Sequence, residues 1–136
     1  MVREPDRSHG KLEVNTKAKA FCKHTLKITD NKNVFFEGNK EVLEEIRRDA
    51  IRIHRYCWIA NNIKVENDME RYKKRIGLEQ SAIDLCVDMG ALIDLSKSLW
   101  HLSGKKVKYW NGLLEELKTM ISAWRSSDIK RLKPKS

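Results

Sequence analysis

Two stretches of the chain place apolar residues at successive spacings of 3, 4, 3, 4 and 3. The first is Leu43, Ile46, Ala50, Ile53, Cys57 and Ala60; the second is Val107, Trp110, Leu114, Leu117, Ile121 and Trp124. An α-helix turns once in ~3.6 residues, so each set falls on one stripe of a helix. A strand would require alternation with period two. Alternating threes and fours is also the spacing with which two helices run side by side over many turns. The chain is therefore constrained to long helices lying along one another.

Two further helices complete the set. Val14, Ala18, Phe21, Thr25 and Ile28 form a stripe over residues 14–30. A long helix over 68–102 would span roughly 50 Å and carries two stripes. One is Tyr72, Ile76, Ile83, Cys86, Ile93 and Trp100; the other is Leu78, Ala82, Leu85, Met89, Leu92 and Leu99. The heptad helices occupy 40–63 and 105–130, and Ser103 is an N-cap for the latter. Residues 31–39 form a connector with an apolar plug at Val34-Phe35-Phe36. The predicted fold is all-α: an antiparallel up-down four-helix bundle over 12–130. Residues 1–11 are a loose lead-in and 131–136 a basic tail.

Composition agrees with this class. Of 136 residues, 6 are Gly and 2 are Pro, few for a β-sandwich or a disordered chain. No apolar run approaches the ~20 residues that span a bilayer, and no apolar stretch follows the basic start, so the expectation is a cytoplasmic protein without a secretory signal. Cys22, Cys57 and Cys86 are odd in number and lack CxxC spacing. They read as buried thiols rather than a disulfide framework or zinc site.

Charge and apolar surplus point outward. With Ala50 at 0° on a helical wheel, Arg48, Arg52 and Arg55 fall at about 160°, 200° and 140°, opposite the core stripe. Ile59 and Ile63 fall near 180° and 220° on the same side. On the last helix, Tyr109, Leu113 and Met120 widen the apolar arc to about 160°. Together with Ile59 and Ile63, these three are candidate contacts in a homo-oligomer. Net charge is +9. Nine basic and three acidic residues lie in 104–136, including Lys105, Lys106 and Lys108. The run Arg71-Tyr72-Lys73-Lys74-Arg75 opens the third helix. Such clusters supply the positive field that phosphate backbones require, without a motif for reading bases. The heptad positions of Trp110 and Trp124 mark them as core or interface residues rather than stacking platforms.

Motifs for catalysis are missing. There is no HExxH, P-loop, GxGxxG or GxSxG, and no Glu-x-x-His pair for a di-iron bundle. The expectation is a protein without metal, cofactor or catalytic residues. One alternative stays open. Arg48-Asp49 followed by His54 resembles the Arg-polar-x-His motif of HEPN ribonucleases, helical bundles in which Arg and His of two protomers meet across a dimer to cleave RNA. Six residues turn a helix by about 600°, leaving the two side chains about 120° apart.

A longer resemblance covers about residues 12–131. Its pieces are Leu12-Glu13-Val14-Asn15-Thr16-Lys17-Ala18, Glu45-Ile46-Arg47-Arg48-Asp49-Ala50-Ile51-Arg52-Ile53, and Arg75-x-x-Leu78-Glu79-Gln80-Ser81-Ala82-Ile83. Ser103-Gly104-Lys105-Lys106 through Trp110, and Ile121-Ser122-Ala123-Trp124-Arg125-Ser126-Ser127-Asp128, complete it. In order and spacing these resemble the accessory variability determinant (Avd) proteins of diversity-generating retroelements, which are similar to the four-helix bundles encoded in ribosomal-RNA intervening sequences. The resemblance implies a small basic bundle, assembled as a homopentamer, without a catalytic centre. It implies binding to a reverse transcriptase and to template-repeat RNA or an RNA/DNA hybrid, in support of mutagenic cDNA synthesis. An RNA-binding bundle of the intervening-sequence type is the alternative from the same fold. The chain departs from the pattern at the first connector, where Phe35-Phe36-Glu37-Gly38 stands in place of a Pro after the aromatic and basic residues beyond it.

Overall fold

The computed structural model describes residues 3–135, with side chains from 13 onward. It contains four helices: α1 (Arg3–Thr29), α2 (Lys40–Asn61), α3 (Met69–Leu99) and α4 (Gly104–Leu132). No strand occurs among the described residues. Each helix packs on the next, and α4 packs back on α1, closing a ring of four. Neighbours are antiparallel. Lys17 of α1 pairs with Glu116 of α4 at 3.0 Å, and further along α1 Thr25 accepts a bond from Nε1 of Trp110, earlier in α4, at 3.0 Å.

The heptad stripes form the core. Ile46, Ala50, Ile53, Cys57 and Ala60 of α2 are buried together with Trp110, Leu114, Leu117 and Ile121 of α4. Each large aliphatic side chain so enclosed contributes about 1.5–3 kcal/mol. The ring also explains the wide apolar arcs. A helix with two neighbours needs two contact stripes, so α3 uses one toward α2 and one toward α4. On α4, Leu113 and Met120 are half-buried against the core for the same reason.

Helix boundaries follow local chemistry. Asp68 accepts a hydrogen bond from the Arg71 backbone N–H at 3.0 Å, and Ser103 accepts one from Lys106 at 3.2 Å, both as N-caps. α3 ends at Leu99, before the expected 102, because Trp100 turns away from the helix. Its indole Nε1 donates to the Phe36 carbonyl at 2.8 Å, and its ring packs at a tilt against Phe35 with centroids 4.9 Å apart. Phe35 also meets Trp110 edge-on, so the connector does plug this end of the core. α1 reaches back to Arg3, through most of the segment expected as a lead-in; residues 1–2 lie outside the described residues. Pro5 falls in the first turn, where its missing N–H has no helical acceptor, and Gly10 costs only about 1 kcal/mol in a helix.

A polar cluster joins α3 to α4 inside this apolar frame. Arg75, only 4% exposed, donates from Nε to Asp128 at 2.8 Å and lies 3.5 Å from Glu79. Its Nη1 donates to the Ile63 carbonyl at 3.1 Å, and its guanidinium lies 5.5 Å from the Trp124 ring centroid. Arg131 adds a second bond to Asp128 at 2.7 Å. Burial, followed by a hydrogen bond to Asp128 and that group's charge, pushes the Glu79 carboxyl up to about 9, so it carries a proton at neutral pH.

Candidate nucleic-acid interface

The ten cations expected at a contact surface separate into four groups. Arg75 is not a contact residue: the Asp128 pair and the Trp124 ring hold it in the interior. Arg48 and Arg71 are exposed but paired with Glu45 and Glu66. Such surface pairs are worth at most about 1 kcal/mol, so a phosphate can displace the carboxylate. Arg52 is half-buried, one turn from Asp49. Arg55, Lys73, Lys74, Lys105, Lys106 and Lys108 are exposed and make no ion pair with any described residue.

Folding brings together two basic segments that are far apart in the chain. The start of α3 and the end of α4 meet around a small apolar cluster of Val65, Tyr72 and Ile76 with Ile129 and Leu132. The Lys135 backbone N–H donates to Asn67 at 3.0 Å, and Arg125 donates to the Ile76 carbonyl at 3.2 Å. Residues 64–74 and 129–135 therefore share one end of the bundle, with eight Lys or Arg against three Asp or Glu. Lys105, Lys106 and Lys108 open α4 at the opposite end.

Two cavities accompany these cations. At the start of α4, a pocket of about 470 Å³ is lined by His24, Phe35, Lys105, Lys106, Tyr109 and neighbouring residues. Tyr109 is 60% exposed and meets His24 edge-on at 5.1 Å. Burial, then Lys27, lowers the His24 pKa, leaving its ring neutral at neutral pH. Between α1 and α2 lies a groove of about 620 Å³ lined by Asn15, Thr16, Lys19, His54, Arg55, Trp58 and Ile59. Burial, then Lys19, keeps His54 neutral in the same way. Among the described side chains, neither cavity has a carboxylate in its wall.

The residues expected at an oligomer contact are dispersed. Ile59 and Tyr109 are exposed, and each lines one of the cavities. Ile63, Leu113 and Met120 are half-buried. Other exposed apolar side chains stand outside every core stripe: Ile51 and Trp58 on α2, Val87 and Leu95 on α3. Trp58 falls about 80° from Ala50 on the wheel, beyond the stripe, and that offset is the signal that marks it.

Arg48 and His54 are not brought together within the chain: Arg48 is paired with Glu45, while His54 faces the α1/α2 groove. No group of three or more His, Cys, Asp or Glu among the described residues is placed to hold a metal ion. Cys22, Cys57 and Cys86 are buried free thiols, and burial pushes Cys57 and Cys86 up to about 12. No described helix is long and apolar enough to cross a membrane. Compared with known proteins, the chain matches no family model, no curated protein and no solved structure.

Proposed function

We propose that this protein is a non-catalytic accessory subunit of a diversity-generating retroelement. It binds the reverse transcriptase and the template RNA, and so supports mutagenic cDNA synthesis. The observation that carries the nucleic-acid part is the end of the bundle where residues 64–74 and 129–135 converge with eight cations against three anions. A field of that kind attracts a phosphate backbone by releasing its counterions. The Avd-like order of sequence blocks supports the retroelement setting.

The same reading includes self-association. The outer face of α3 sets Val87 and Leu95 among Asp84, Asp88 and Asp94. On α2, exposed Ile51 lies one turn from Arg48 on one side and one turn from Arg55 on the other. Apolar centres with charge of opposite sign suit a head-to-tail contact between copies, which closes into a ring when the rotation permits.

The deciding experiment is co-purification with the reverse transcriptase that this reading expects beside the gene, with and without its repeat RNA. A complex that falls apart steeply with added salt supports the proposal. A protein that binds neither partner at low salt refutes it. Sedimentation of the pure protein reports the subunit number separately.

A further inference from the structure

The α1/α2 groove has features that a general phosphate-binding surface does not need. Trp58 is 57% exposed on the outside of the bundle, whereas Trp100, Trp110 and Trp124 are buried. Lys19 and Arg55 share its wall, and no carboxylate of a described side chain does. Neither cation is ion-paired to another described residue. An indole beside two unmatched cations is the pairing by which proteins hold unpaired nucleotides, with the ring against a base and the cations on the phosphates.

The floor of the groove adds a second feature. Asn15 Oδ1 and His54 Nδ1 are buried there with no hydrogen-bond partner among the described residues. Rotation of either side chain about its terminal torsion, where the energy wells are broad, would turn a polar atom into the groove. No protein hydrogen bond from those two atoms would be lost. The groove also has the right position. Trp58 lies in the last turn of α2, whose following loop leads directly into the cationic end of the bundle.

We infer that this groove is a nucleobase pocket for single-stranded RNA: one flipped-out base stacks on Trp58 while Lys19 and Arg55 hold the flanking phosphates. Duplex RNA keeps its bases stacked on one another and engages only the cations. This rests on the RNA-binding part of the proposed function, and it assigns a chemistry to one site that the cationic end alone does not supply.

The test uses the full chain with two labelled probes of equal length, an unstructured single-stranded RNA and an RNA duplex. Replacing Trp58 by Leu should weaken single-strand binding about tenfold, the usual scale for one lost base–aromatic stack, while duplex binding stays within about twofold. Trp58→Phe should retain most of the single-strand affinity. Because the other three indoles are buried, quenching of tryptophan emission by the single strand in the parent, and its loss in Trp58→Leu, reports the stack directly. Equal losses for both probes, or no quenching in the parent, overturn the pocket while leaving general RNA binding intact. A Trp58→Leu protein that changes its sedimenting mass and keeps its single-strand affinity also overturns it, because the groove is then covered by a second copy. Binding of neither probe removes the pocket together with the function it rests on.

Discussion

Asp49→Asn will give a protein whose stability depends less on pH than that of the parent. Asp49 is 2% exposed on α2. Burial, then a hydrogen bond to Asp88, then the charges of Asp88 and Glu45, push its carboxyl from 3.8 up to about 7 against the pull of Arg52. Between those values the folded chain holds a proton that the unfolded chain has released. The stabilisation is complete below the unfolded value and is lost as pH rises through the folded one. Each pH unit inside the window is worth about 1.4 kcal/mol. From pH 5 to pH 8 the parent crosses about two units of it, an upper figure of about 3 kcal/mol. Asn has the same shape, donates to Asp88 and has no charge to lose. Glu79 acts in the same direction over a window from 4.5 to about 9, but it is present in both proteins and cancels in the difference. Urea unfolding followed by helix content at pH 5, 6, 7 and 8 measures the two curves. The variant should gain on the parent by about 1–3 kcal/mol across that range. Parallel curves would mean that Asp49 stays ionised in the fold and that the reasoning is wrong.

Three further outcomes are expected. Arg75→Ala should cost about 3–5 kcal/mol in chemical denaturation, because Asp128 would stay buried with only Arg131 to answer it; Arg75→Met, which refills the volume, should be no better if the unpaired charge is the cause. Phe35→Ala should cost about 3–5 kcal/mol and raise the accessibility of Trp100 and Trp110 to a quencher. Gly77→Ala should stabilise by about 0.4–1 kcal/mol, since Gly77 is exposed within α3 and a Cβ there would meet nothing within 4 Å; a loss would mean that the site is covered in the assembled protein.

Most of the fold was legible because periodicity is a local property. The stripes of α2 and α4, the Ser103 cap and the Phe35 plug could all be read from residues close in sequence. Arg75 could not. In the run Arg71-Tyr72-Lys73-Lys74-Arg75 it looks like its neighbours, and only its spacing hints otherwise: it lies three after Tyr72 and four before Glu79, on the buried face. Its partner Asp128 is fifty-three residues away on another helix. The surplus apolar arc of α4 was visible, but its use by two neighbours depends on closure of the ring, which no single helix encodes. Trp58 was off its stripe by a readable angle. What that angle could not show was the wall of α1, with Asn15 and Lys19, standing opposite.

The two ends of the α1–α2 pair are fastened unequally. At one end Arg47 clamps α2 to the Leu26 carbonyl at 3.0 Å and to Thr29 Oγ1 at 2.7 Å, with Phe35 seated just beyond. At the other end lies the groove of Asn15, His54 and Trp58, where two buried polar atoms go without partners among the described residues. The pair is thus built like tweezers, riveted at the connector. A splaying of the tips would break neither Arg47 bond, and the width of the groove is the coordinate that such a splaying would change. A strand gripping the tips would stiffen both helices down to the rivet, with no rearrangement of the core between them.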